Sequence, residues 1–115
     1  MFRDDFVWGV ASSAYQIEGR DANDGAGAMI WDKFIAEGGT KDGYGAEVAC
    51  DHMHRYKEDF ALMRLMGIKA YRFSISWARL IPEGTGKVNE KAVALYRDMI
   101  LEMKKNGIEP YLTMY

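Results

Sequence analysis

The sequence predicts an α/β fold on a parallel sheet, in the order β–long loop–α–β–α–β. Three observations carry this expectation. Short β-forming runs alternate with amphipathic helical stretches, the pattern of βα units. Each helical stretch stops at a glycine. Gly67-Ile68-Lys69-Ala70-Tyr71 is echoed forty residues later by Gly107-Ile108-Glu109-Pro110-Tyr111.

Phe6-Val7-Trp8-Gly9-Val10-Ala11 is a short apolar run and predicts the first strand. Residues 20–47 read as a loop, because Asn23-Asp24-Gly25 and Gly38-Gly39-Thr40-Lys41-Asp42-Gly43 are strong turn signals. Within it, Met29 to Phe34 predicts one short helical turn held by Trp31 and Phe34. A connection this long in a compact domain usually serves binding.

A helix is predicted from about Val48 to Met66, with Met53, Tyr56, Phe60 and Met63 at helical spacing and charged residues between them. Gly67 is its C-terminal stop. The strand Ile68 to Ser74 follows, rich in aromatic and β-branched residues. Ile68, Ala70 and Arg72 share one of its faces, and Lys69, Tyr71 and Phe73 the other. After the turn at residues 82–86, Asn89 is suited to cap a second helix, with Val93, Tyr96, Ile100 and Met103 as its apolar stripe and Lys104-Lys105 at its C-terminus. Ile108 to Tyr115 predicts a third strand, with Pro110 early enough for its missing N–H to be tolerated. Three parallel strands and two helices leave sheet edges unpaired and one face uncovered. The sequence is therefore expected to be the N-terminal part of a larger protein, one partial domain over residues 1–115.

The 115 residues are 49% hydrophobic and 28% charged, with a net charge of −2. That balance suits a folded chain and gives no electrostatic reason to expect nucleic acid or an anionic membrane as partner. The N-terminus shows neither a secretory signal nor a membrane span. Cys50 is the single cysteine. It excludes an internal disulfide, fits a reducing cytoplasm, and is expected to be a small buried residue rather than a nucleophile.

Few residues stand out for chemistry. Gln16 and Glu18 follow the first strand, on the side where such sheets collect ligands. They read either as a polar loop pair or as sugar-binding groups, since an amide both donates and accepts. Arg72 sits near the C-terminal end of its strand. Either it reaches solvent, or it is buried and needs an anionic partner that no neighbour in sequence supplies. His52 and His54 are two apart on a predicted helix and do not share a face, so no metal site is expected. The methionines at 53, 63, 66, 99 and 103 read as core filler, and Trp77 as packing rather than sugar stacking.

Phe6-Val7-Trp8-Gly9-Val10-Ala11-Ser12-Ser13-Ala14-Tyr15-Gln16-Ile17-Glu18-Gly19 resembles the N-terminal signature of family 1 glycoside hydrolases. The resemblance continues through residues 30–34, 49–59, 71–84 and 107–115, and is nearest to bacterial β-glucosidases. It implies the first strands of a (β/α)8 barrel. It implies that Gln16 binds hydroxyls of the glycone and that Arg72 holds the nucleophilic carboxylate. The implied reaction is retaining hydrolysis of β-glycosides by two glutamates, without cofactor or metal. The Asn-Glu-Pro and Thr-Glu-Asn-Gly motifs that carry those glutamates do not occur in this sequence. The chain alone is expected to be inactive, with a β-glycoside substrate and the remainder of the barrel as partners of the complete enzyme. Isolated, it is expected to be loose or self-associating.

Overall fold

The computed structural model describes residues 1–21 and 23–114. The elements run β1 (Gly9–Ala11), α1 (Ala14–Ile17), α2 (Ile30–Ala36), α3 (His52–Leu65), β2 (Ala70–Ile75), α4 (Trp77–Leu80), α5 (Glu90–Lys105) and β3 (Glu109–Met114). The strands form one parallel sheet in the order β1-β2-β3. The predicted third strand is present up to Met114, and Tyr115 lies outside the described residues.

β1 is shorter than the apolar run. Phe2, Phe6 and Trp8 form a cluster of rings with centroids 4.5–4.9 Å apart, and pairing with β2 begins only at Gly9. The helix expected from Val48 begins at His52, because Ala49 and Asp51 adopt φ of 51° and 54°. That left-handed geometry interrupts a helix. α2 extends the single turn expected around Trp31 to seven residues. α4 was not foreseen; the Oγ of Ser76 caps it by accepting from the Arg79 N–H at 3.3 Å. Asn89 caps α5 as expected, its side-chain oxygen accepting from the Lys91 N–H.

The echoed Gly-Ile pairs share one geometry. Gly67 and Gly107 take φ of 76° and 71°, and the Ile68 and Ile108 N–H groups return to Met63 and Met103 carbonyls at 3.0 Å. The likeness ends with the tyrosines. Tyr71 pairs with Pro110, so Tyr111 falls beside Arg72 on the opposite face. Stagger of neighbouring strands is what closing a sheet into a barrel requires.

One sheet face is covered. Tyr71 and Phe73 pack with Tyr56 and Phe60 of α3, with Ala92, Tyr96, Met99 and Met103 of α5, and with Ile108. The stripe of α5 is thus rotated from the expected one. Val93 is exposed and Ile100 half-buried, because Ala92 and Met99 face the sheet. Met53, Met99 and Met103 are core residues and Met63 packs against the core, whereas Met66, beyond the last turn of α3, is exposed. Cys50 is exposed, contrary to expectation, because it lies in the irregular turn before α3 rather than on its buried stripe. Among the described residues no helix is long and apolar enough to cross a membrane.

Phe60 is fully buried between α3 and the sheet. Phe60→Ala should cost about 3–5 kcal/mol of stability. Glu58→Ala on the exposed side of α3 should stay within about 0.5 kcal/mol, both read from urea midpoints.

Candidate active site

β1 ends beside the middle of β2. Ala11 pairs with Arg72, and the Ser12 N–H donates to the Arg72 carbonyl at 2.9 Å. Ser12 also hydrogen-bonds the Tyr71 hydroxyl through its Oγ. The chain then turns into α1, whose Ala14 N–H donates to the Oγ of Ser74 at 2.8 Å. These bonds fasten the helix bearing Gln16 to the end of the strand bearing Arg72. Both side chains are exposed. Among the described residues, no side chain hydrogen-bonds or ion-pairs with either one. Trp77, read as packing, is 44% exposed, and its indole N–H donates to the Gly84 carbonyl at 3.0 Å.

A buried charged cluster joins the end of α1 to α4 and α5. Arg79, 3% exposed, donates from Nε to Glu18 Oε2 at 3.1 Å and from Nη2 to the Gly19 carbonyl at 2.8 Å. Its Nη1 pairs with Asp24. The Tyr96 hydroxyl of α5 donates to Glu18 and accepts from the Ser76 N–H. Burial holds the Glu18 carboxyl above its ordinary value, although Arg79 and Tyr96 act to lower it. For Arg79, burial acts downward, but Glu18, Tyr96 and Asp24 outweigh it and hold the guanidinium protonated. Sequence reading missed this cluster. Glu18 was grouped with Gln16 as one polar pair; the structure separates them, Gln16 outside and Glu18 inside.

The histidines act separately. Nδ1 of buried His52 lies 2.6 Å from Asp59. His54 places Nδ1 2.6 Å from Asp51 and Nε2 2.9 Å from Asp21. Two carboxylate acceptors require two ring donors, so this geometry favours the imidazolium. Among the described residues, no group of three or more His, Cys, Asp or Glu side chains is placed to hold a metal.

Successive parallel βα units whose strands lie in chain order are the repeating unit of the (β/α)8 barrel class, of which this chain forms a part. The chain belongs to glycosyl hydrolase family 1, whose family model matches residues 1–115. It is 51% identical over 115 residues to β-glucosidase A of Acetivibrio thermocellus, covering 99% of this chain and 26% of that protein. It is 52% identical over 111 residues to an aryl-phospho-β-D-glucosidase of Bacillus subtilis, covering 96% and 23%. The solved β-glucosidase of Thermotoga maritima, in complex with a substituted glucoimidazole, superposes with a TM-score of 0.93 at 49% identity, covering 99% of this chain and 26% of that one. The chain therefore spans about a quarter of the length of these relatives.

Arg79→Met leaves Glu18 buried without its cation and should cost about 3–5 kcal/mol, seen as a lowered denaturation midpoint. His54 is held above its ordinary value by its bonds to Asp51 and Asp21. A raised folded value stabilises fully below the unfolded value of about 6.5 and is lost as pH rises through the folded one. A proton NMR titration should place His54 above about 6.5, and Asp51→Asn should bring it down.

Proposed function

We propose that this chain forms the glycone-side part of the active site of a retaining β-glucosidase, which hydrolyses terminal β-D-glucosyl residues of β-glycosides. The observation that carries the reading is that Gln16, on α1 directly after β1, and Arg72, which pairs with the last residue of β1, belong to elements bonded to each other through Ser12 and Ala14. It is supported by about 50% identity to β-glucosidases along nearly the whole chain. Gln16 presents one acceptor and two donors, which suits two neighbouring sugar hydroxyls. Arg72 is a permanent cation with a planar fork of donors, which suits holding a carboxylate. The two glutamates come from outside these residues: one protonates the leaving oxygen, and the other attacks the anomeric carbon to form a glycosyl-enzyme that water cleaves. The chain alone turns nothing over. Acid–base and nucleophilic carboxylates suffice for this reaction, so the reading includes no cofactor.

The site is completed by the remainder of a barrel, which would also cover Val10, Tyr111 and Met114; exposed as they are, they favour self-association of the isolated chain. The exposed thiol of Cys50 is consistent with a cytoplasmic setting.

A hybrid tests the reading: this chain replaces the matching quarter of the Thermotoga maritima β-glucosidase. The hybrid should hydrolyse an aryl β-glucoside. Gln16→Ala should lower kcat/KM about 10²-fold, the worth of two lost hydrogen bonds. Arg72→Met should act chiefly on kcat. A folded but inactive hybrid would favour a non-catalytic barrel module. The 52% identity to the aryl-phospho-β-D-glucosidase favours a second reading, a 6-phospho-β-glycosidase. It gains if only a hybrid with the Bacillus subtilis remainder works, and only on the 6-phosphorylated substrate.

A further inference from the structure

Gln16 lies on α1 and Glu18 is its C-cap, still with helical backbone angles, so their side chains leave the helix about 200° apart. Burying one therefore directs the other away from the protein. α1 has only four residues and makes little helix of its own, so its rotation is set from outside. At its start, the Ala14 N–H is held by Ser74. At its end, the Cys50 N–H donates to the Ile17 carbonyl and the Met53 N–H to the Glu18 carbonyl, both at 3.2 Å. The Glu18 carboxylate is gripped by Arg79 at 3.1 Å and by the Tyr96 hydroxyl at 2.9 Å. Arg79 itself sits on α4, directly after the strand that carries Arg72.

We propose that Glu18, clamped by Arg79 and Tyr96, is a positioning residue that fixes the rotation of α1 and so aims Gln16 at the glycone hydroxyls. This rests on the role given to Gln16 above. Glu18 touches no substrate. Its carboxylate is an anchor whose distance from Gln16 is fixed by two peptide units, and the clamp links that anchor to β2 and α5. Misplacing a binding group by about 1 Å is enough to lower kcat/KM measurably.

The test is a double-mutant cycle in the Thermotoga maritima hybrid, with Glu18→Gln and Tyr96→Phe each made alone and with Gln16→Ala. Glu18→Gln keeps the shape and removes the charge; Tyr96→Phe keeps the ion pair and removes the hydroxyl's bonds to Glu18 and from the Ser76 N–H. Glu18→Gln should lower kcat/KM about 10-fold, mainly through KM, and about 2-fold or less once Gln16 is alanine, since contacting residues are non-additive. Tyr96→Phe should show the same pattern at about 3-fold. Equal losses in both backgrounds overturn the proposal, because general loosening of the fold does not depend on the Gln16 side chain. If Glu18→Gln loses its far-UV circular dichroism, Tyr96→Phe decides. If the hybrid is active but Gln16→Ala alone changes nothing, the role of Gln16 falls and this inference with it. If Gln16→Ala impairs while the cycle is additive, only this inference falls.

Discussion

The ion pair between Arg79 and Glu18 is the constraint on which the active-site end of the molecule depends. Both side chains are almost wholly buried, where an unpaired charge would cost several kcal/mol. The pair forms only if residues 61 positions apart are brought together. It draws in further segments. Arg79 reaches the Gly19 carbonyl and the Asp24 carboxylate, and Asn89 spans the Asp24 and Arg79 carbonyls with its amide while capping α5. Gly19 admits this crowding because it has no Cβ; one placed there would lie 2.5 Å from the Val48 carbonyl oxygen, at a φ of +75° that other residues avoid. The long connection after α1 is thereby held by buried polar bonds as well as by its own aromatic contacts.

The core and the site divide the sheet between its two faces. Tyr71 and Phe73 bind α3 and α5 on one side. Period-two alternation then sends Arg72 to the other side, with Ala11 and Tyr111 as its neighbours in rank. A one-residue slip of β2 would bury Arg72 under the helices and expose both aromatics. The apolar contacts that stabilise the domain thus also decide where its cation points. Because Ser12 and Ala14 are bonded to β2, that register extends to α1 and Gln16.

Much of this architecture is legible in the sequence because it repeats. Apolar spacing located α3, α5 and both longer strands, and the Gly-Ile echo announced the helix stops, since these are local properties. The stripe of α5 was misjudged by one position, because Ala92 is small enough to pass unnoticed as core while Val93 is not. The late start of α3 was hidden, because nothing in Ala49 marks a left-handed backbone. The buried cluster was illegible for a different reason. Its members lie at positions 18, 24, 79 and 96; Tyr96 is legible as core but its hydroxyl's partner is not, and burial of charge shows only when partners distant in sequence meet. One signal was available. Had residues 14–17 been read as helix, the two-residue spacing would have set Gln16 and Glu18 on opposite sides.

Two arginines seven residues apart make the contrast on which the functional reading turns. Arg79 has a hydrogen-bonded partner for each of its three nitrogens, and its charge is answered by two carboxylates. Its demands are met by the fold, so it is a structural cation. Arg72, within the strand that leads into α4, projects from the sheet face opposite the helices into the open, between neutral neighbours. Folding alone gives no reason to keep a guanidinium there: Ala70 and Ser74 occupy the same face, and a small side chain would serve as well. Under the proposed function, this cation, whose valences the described residues leave open, on the strand to which the helix of Gln16 is bonded, receives a group from elsewhere. A carboxylate is the group that matches a guanidinium in both charge and geometry.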